Sequence, residues 1–123
     1  MKKLKQNAGP FWRAAFFLTL AAVAILSLWP GDEGPAGTGW DKADHVLAFI
    51  ALAIMGRRGF PARPFVLLGL ALLAYGGLIE ILQGMTPDRH AEWADLAADG
   101  VGIVAGGAMA YWWRQHAKNT TPP

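Results

Sequence analysis

The sequence predicts an all-α membrane protein in which four transmembrane helices form an antiparallel bundle, as a single domain over residues 1–123. Hydrophobic residues make up 54% of the chain and charged residues only 16%, against about 25% charged in an average soluble domain. Four apolar stretches of helical length are separated by polar or Pro/Gly-rich segments. The basic residues gather on alternate connections, as in multi-pass membrane proteins.

The first predicted helix covers residues 11–29 and would rise about 28 Å, close to the hydrocarbon core of a bilayer at about 30 Å. A secretory signal peptide has a shorter apolar run that ends in small residues. Here the run ends at Trp29-Pro30, so we expect a retained anchor. The other helices are predicted over residues 41–57, 64–83 and 93–114, with Pro64 suited to a first helical turn.

The basic residues predict the orientation of the helices. If the helices alternate in direction, the N-terminus, the second connection and the C-terminus share one side of the membrane. Nine Lys and Arg residues fall on that side, and two, Lys42 and Arg89, fall on the other. Because positive charge is retained in the cytoplasm, we expect both termini there. The net charge of +2 is therefore a topology signal, and we expect no nucleic-acid partner.

Polar side chains on three predicted helices come to one level at the outer side of the membrane. An ionisable group in hydrocarbon costs at least about 2.5 to 3.5 kcal/mol, so we expect these groups to face inward and pair. We expect His45 and Glu80 within direct or water-bridged hydrogen-bond reach of each other or of Asp95. We expect Lys42 to turn toward lipid headgroups or the surface of the loop. The same-face sets are Asp41, Asp44 and His45, then Glu80 and Gln83, then Asp95 and Asp99.

Small residues form a stripe on the fourth predicted helix. Gly102 and Gly106 are four residues apart, and Ala98 and Ala110 extend the spacing in both directions. In lipid such a stripe lets another helix approach closely. We expect a tight helix contact inside one subunit, in preference to a homodimer interface.

Several of the polar residues form an ordered set of motifs between Trp40 and Gly107. The motifs are Asp41-Lys42-x-x-His45, Glu80-x-x-Gln83, Pro87-x-Arg89, and Asp95 followed by a helix that contains Gly102. This set resembles the VanZ-like family of small bacterial membrane proteins, although the family often has Asn where Asp99 stands. The resemblance implies a multi-pass protein of the bacterial cytoplasmic (inner) membrane. It also implies importance for Asp41, Lys42, His45, Glu80, Gln83, Arg89 and Asp95.

Two function classes stay open. In the first, an outward-facing pocket binds membrane lipids, through a lipid-linked or lipoglycopeptide-type headgroup. In the second, the protein is a membrane-embedded enzyme acting on an envelope lipid, with His45, Glu80 and Asp95 as candidate catalytic residues. The candidate ligand-binding residues are Asp41, Lys42, Asp44, His45, Glu80, Gln83, Arg89, Asp95 and Asp99.

Other interpretations of the polar residues are weaker or purely structural. A proton path is disfavoured, because the inner halves of the predicted helices lack polar residues. No Ser or Cys nucleophile lies among the polar residues, and Ser27 sits in the first apolar run. A divalent metal held by His45, Glu80, Asp95 and Asp99 is chemically possible, but one His with scattered carboxylates lacks a diagnostic ligand spacing, so we assign no metal and no cofactor. The structural alternative is a polar clasp that holds three helices in register.

Overall fold

The computed structural model of the chain describes residues 2–29, 41–85 and 93–119, with side chains for 8–29, 42–85 and 93–117. These residues form four α-helices and no strand, which confirms the all-α class. The helices are α1 (Lys2–Ser27), α2 (Asp41–Gly59), α3 (Phe65–Gly84) and α4 (Trp93–Asn119).

Some helix ends differ from the predicted ones: α1 begins earlier, α4 ends later, and α3 begins after Pro64. Pro10 lies inside α1, where its missing N–H forfeits one helical hydrogen bond. The helix continues through it and begins at Lys2, well before the predicted start at residue 11. Pro64 has φ −60° and ψ 138°, which is extended backbone. It therefore precedes α3 as the N-cap instead of occupying the first turn.

The second helix, α2, is the centre of the bundle. It packs against each of the other three helices, most extensively against α4. Phe49 and Leu52 of α2 are 1% and 0% exposed, as expected for a helix surrounded by neighbours. The buried side chains of the core are Phe16 from α1, Phe49, Leu52 and Ala53 from α2, Leu72 from α3 and Ile103 from α4.

The glycine stripe of α4 lies directly against the backbone of α2. A Cβ atom at Gly102 would lie 2.6 Å from the carbonyl oxygen of Val46, and one at Gly106 would lie 2.6 Å from that of Ile50. Both helices advance by four residues between these contacts, so they run side by side in the same direction. The prediction of a tight helix contact inside one subunit is confirmed.

The two ends of the bundle carry different charges. Between the N-terminal half of α1 and the end of α2, Arg13 donates to the carbonyl oxygen of Gly59 at 3.0 Å. The Arg58 guanidinium lies 5.2 Å from the ring centroid of Trp12 and 5.4 Å from that of Trp113. We call this the basic end. At the opposite end, where α2 and α4 begin and α3 finishes, the acidic side chains and His45 gather, and we call it the polar end.

The outside of the bundle is largely apolar, with Leu18, Val66 and Val104 among many exposed aliphatic side chains. Two segments, Ala8–Ser27 in α1 and Phe65–Gly84 in α3, are long and apolar enough to cross a membrane. Only 6% and 22% of these segments lie buried, whereas the core helix of a water-soluble protein would be mostly buried. The prediction of four spanning helices thus has support from length and composition for two of them.

Candidate functional site

Three helices bring buried ionisable side chains together at the polar end. His45 lies near the start of α2, Glu80 near the end of α3, and Asp95 and Asp99 in the first two turns of α4. These four residues, which we call the polar cluster, are 9%, 6%, 4% and 0% exposed. Burial of this depth is uncommon for charged side chains unless they are paired.

The closest contact in the polar cluster joins α2 to α4. His45 Nδ1 and Asp99 Oδ1 are 2.6 Å apart. An ionised carboxylate only accepts, so Nδ1 donates and the bond fixes the orientation of the imidazole ring. Gly76 of α3 makes room for this pair, because a Cβ there would collide with the Asp99 carboxylate and meet the Phe49 ring.

His45, Glu80 and Asp95 converge on a common space. Each offers one nitrogen or oxygen atom, and these three atoms lie within 4.8 Å of one another. A single water can bridge two polar atoms up to about 5.5 Å apart, since each of its hydrogen bonds spans about 2.8 Å. The structure therefore brings His45, Glu80 and Asp95 within the reach that the sequence predicts.

Lys42 turns toward the polar cluster, which corrects the expectation that it turns toward lipid headgroups or the loop surface. Its Nζ lies 3.6 Å from Asp95 Oδ1, and its side chain is 38% exposed while that of Asp95 is 5% exposed. A lysine stem is long and flexible enough to place its ammonium on a neighbouring helix. Because Lys42 is partly exposed, the polar cluster has an edge that is accessible from outside the bundle.

Two hydrogen bonds fasten α3 to α1 near the polar cluster. Gln83 Nε2 donates to the carbonyl oxygen of Ser27 at 2.8 Å, and the Tyr75 hydroxyl donates to that of Leu20. The Gln83 Oε1 atom is buried and has no hydrogen-bond partner among the described residues. Sequence reasoning missed Tyr75, since its partner is a backbone carbonyl and no complementary side chain signals the bond.

The remaining predicted site residues lie at the margin of the polar cluster or beyond the described part of the chain. Asp44 is half-buried on α2 and is not among the three converging donor atoms. Asp41 is the first residue of α2, but its side chain lies outside the described residues. Arg89 falls in the segment 86–92, which is also outside them.

No family model, curated protein or solved structure matches the chain. The chemistry of the polar cluster therefore carries the functional argument. Its carboxylates can accept hydrogen bonds from hydroxyl or ammonium groups, and Lys42 can meet an anion. The imidazole, held through Nδ1, can exchange a proton through its other nitrogen.

Proposed function

We propose that the chain is a multi-pass protein of the bacterial cytoplasmic membrane, of the VanZ-like family, that binds an envelope-lipid or lipoglycopeptide-type headgroup at its polar end. The observation that carries this proposal is the burial of His45, Glu80, Asp95 and Asp99 at one end of a bundle with an apolar outside. Ionisable residues inside membrane proteins mark functional sites by default, because their insertion is costly.

The distribution of charge supports the orientation of this site. Arg13, Arg57, Arg58 and Arg63 lie at or beside the basic end, where Arg57 donates to the carbonyl oxygen of Arg63 at 2.9 Å. Basic residues are retained on the cytoplasmic side. The polar end then faces away from the cytoplasm, toward the envelope lipids.

The composition of the polar cluster favours a binding site over a clasp. The His45–Asp99 and Lys42–Asp95 contacts already join α2 to α4. Glu80 adds a further carboxylate from α3 to the same space, and like charges at short range repel. A ligand with cationic or hydroxyl groups would find carboxylate acceptors from two helices, Glu80 of α3 and Asp95 of α4, close together. Anionic groups of the same ligand would meet the partly exposed Lys42.

A membrane-embedded enzyme acting on an envelope lipid is the second candidate, and one observation favours it. Asp99 holds His45 through Nδ1, the arrangement by which a carboxylate orients a histidine that works as a general base. Glu80 and Asp95 lie close enough to bind the group from which a proton is taken. Conversion of a bound lipid, detected as a change in its mass, separates this candidate from simple binding.

The test compares the wild-type chain with Glu80→Gln after extraction from the membrane with a shell of native lipid. Mass spectrometry should find an envelope lipid enriched on the wild type and lost from Glu80→Gln, with thermal stability nearly unchanged. His116→Gln is the control, because His116 is exposed and stacks on Trp112 far along α4. Equal lipid content in the wild type and Glu80→Gln, together with a lower melting temperature of the variant, would leave only the clasp.

Single cysteines test the orientation. Ala62→Cys lies in the exposed connection between α2 and α3, and Gly37→Cys lies in the connection between α1 and α2. A membrane-impermeant thiol reagent on intact cells should label Gly37→Cys and spare Ala62→Cys. The reverse pattern would place the polar end in the cytoplasm.

A further inference from the structure

We propose that His45, Glu80 and Asp95 form a binding site for a divalent transition-metal cation such as Zn²⁺ or Mn²⁺, with Asp99 as the residue that orients His45. This deepens the proposed function and rests on it in one respect, namely that the cation would meet an anionic headgroup. Binding of the cation itself depends only on the geometry of the polar cluster.

The donor set has the composition and spacing of a metal site. One imidazole nitrogen and two carboxylate oxygens suit Zn²⁺ or Mn²⁺ better than Mg²⁺ or Ca²⁺, which favour oxygen ligands alone. Ligands at about 2.1 Å from a tetrahedral Zn²⁺ are about 3.4 Å apart. One ring nitrogen of His45 and one carboxylate oxygen each of Glu80 and Asp95 already lie within 4.8 Å of one another. Small side-chain rotations of Glu80 and Asp95 would bring these atoms to the spacing that a bound Zn²⁺ needs.

The hydrogen bond from His45 to Asp99 is of the kind that orients metal-bound histidines. Metal-ligating histidines almost always donate their other ring N–H to a carboxylate or carbonyl, which fixes the tautomer and the ring orientation. Asp99 accepts from His45 Nδ1 at 2.6 Å and is fully buried. Nε2 is then the nitrogen assigned to the cation. Gly76 contributes by leaving space for the Asp99 carboxylate.

The carboxylates of the polar cluster favour a cation there, and a buried amide lies on the same helix as Glu80. Glu80, Asp95 and Asp99 bring three carboxylates to the polar cluster, with Lys42 at its edge, and carboxylate oxygens are ligands of divalent cations. Gln83 lies one turn beyond Glu80, is 6% exposed, and has its Oε1 atom buried with no partner among the described residues.

The experiment measures metal content and affinity of the full chain in detergent. The protein is stripped with EDTA, dialysed, reloaded with ZnCl₂ or MnCl₂ and separated from free metal by gel filtration. We expect about one metal ion per wild-type chain, and at least a ~10-fold loss of affinity in His45→Gln and in Asp95→Asn. Asp99→Asn should weaken affinity by about 10- to 100-fold, as removal of a supporting carboxylate does, while His116→Gln should match the wild type.

The metal measurement would overturn the metal site in either of two cases: no metal retained by the wild type, or His45→Gln retaining metal with wild-type affinity. A folding defect in the variants does not remove the test, because wild-type melting in the presence and absence of Zn²⁺ provides a second measurement. A bound ion should raise the melting temperature, and EDTA should reverse the rise. An unchanged melting temperature counts against the site.

Lipid content of the same samples separates this inference from the proposed function. Metal retained without any enriched lipid would leave the metal site standing and refute the headgroup proposal. Lipid retained by a wild-type chain that binds no metal would refute the metal site alone.

Discussion

Gly106→Ala is expected to destabilise the bundle relative to Gly100→Ala, although both changes add the same methyl group to α4. At Gly106 the new Cβ would lie 2.6 Å from Ile50 O, 2.8 Å from Ala53 Cβ and 3.0 Å from Ile50 Cα. Two of these atoms belong to the backbone of α2, so they cannot move unless the helix moves. At Gly100 the nearest atom is Leu73 Cδ1 at 3.9 Å, an ordinary contact.

The magnitude follows from two opposing contributions. Alanine is better than glycine in a helix by about 0.8 to 1.0 kcal/mol, and this gain applies equally at Gly100 and at Gly106. Overfilling a packed contact costs about 1 to 3 kcal/mol, and that cost applies only at Gly106. The two variants should therefore differ by about 1 to 3 kcal/mol in the free energy of unfolding. For a chain of this size the melting temperatures should differ by at least about 3 °C.

The assay is thermal unfolding of both variants in the same detergent, followed by circular dichroism. Equal melting temperatures for Gly106→Ala and Gly100→Ala would refute the close approach of α4 to α2. Gly102→Ala gives a second comparison, since its Cβ would lie 2.6 Å from the carbonyl oxygen of Val46. Val46 follows His45 directly, so Gly102→Ala should also reduce lipid or metal retention at the polar end.

Two further changes test the contacts that α3 makes around the site. Gly76→Ala should destabilise the protein and weaken metal binding, because the added Cβ would collide with the Asp99 carboxylate; wild-type metal affinity in this variant would contradict the role of Gly76. Tyr75→Phe should cost about 0.5 to 1.5 kcal/mol of unfolding free energy by removing the hydrogen bond to Leu20 O. Tyr111→Phe is the control, since Tyr111 is exposed on α4, and equal melting of the two variants would exclude that bond as a source of stability.

Much of the fold was predictable from local patterns along the chain. Helix number and approximate bounds follow from apolar run length, and the small-residue spacing of Gly102 and Gly106 predicts a close helix neighbour. Which helix that neighbour is could not be predicted. The choice of α2 depends on Val46 O and Ile50 O, which are backbone atoms that every sequence offers equally.

The sequence predicted at which end of the bundle the site lies, but it could not predict which side chains bond to each other there. In helices that alternate in direction, the start of one helix and the end of the next share an end of the bundle, so the positions of His45, Glu80 and Asp95 along the chain put them at the same end. Helical periodicity adds that each shares a face with a second polar residue. The particular pairing of His45 with Asp99 depends on how the helices rotate about their axes. The donor atoms also come from three separate helices, so no spacing within one segment could have indicated a metal site.

The helices α2 and α4 are less apolar than α1 and α3, which are the two described helices long and apolar enough to cross a membrane. They are also the two that meet at the glycine stripe, and they hold three of the four residues of the polar cluster. The packing of α2 explains both observations. The length and mean hydropathy of a helix describe it as if lipid surrounded it on all sides. The central helix α2 packs against α1, α3 and α4, so much of its surface meets protein, and α4 shares its longest contact. A helix in that position can carry His45 or Asp99 at a cost set by its neighbours instead of by hydrocarbon. In the membrane protein that we propose, α1 and α3 would supply most of the lipid-facing surface, and α2 and α4 would carry most of the polar cluster.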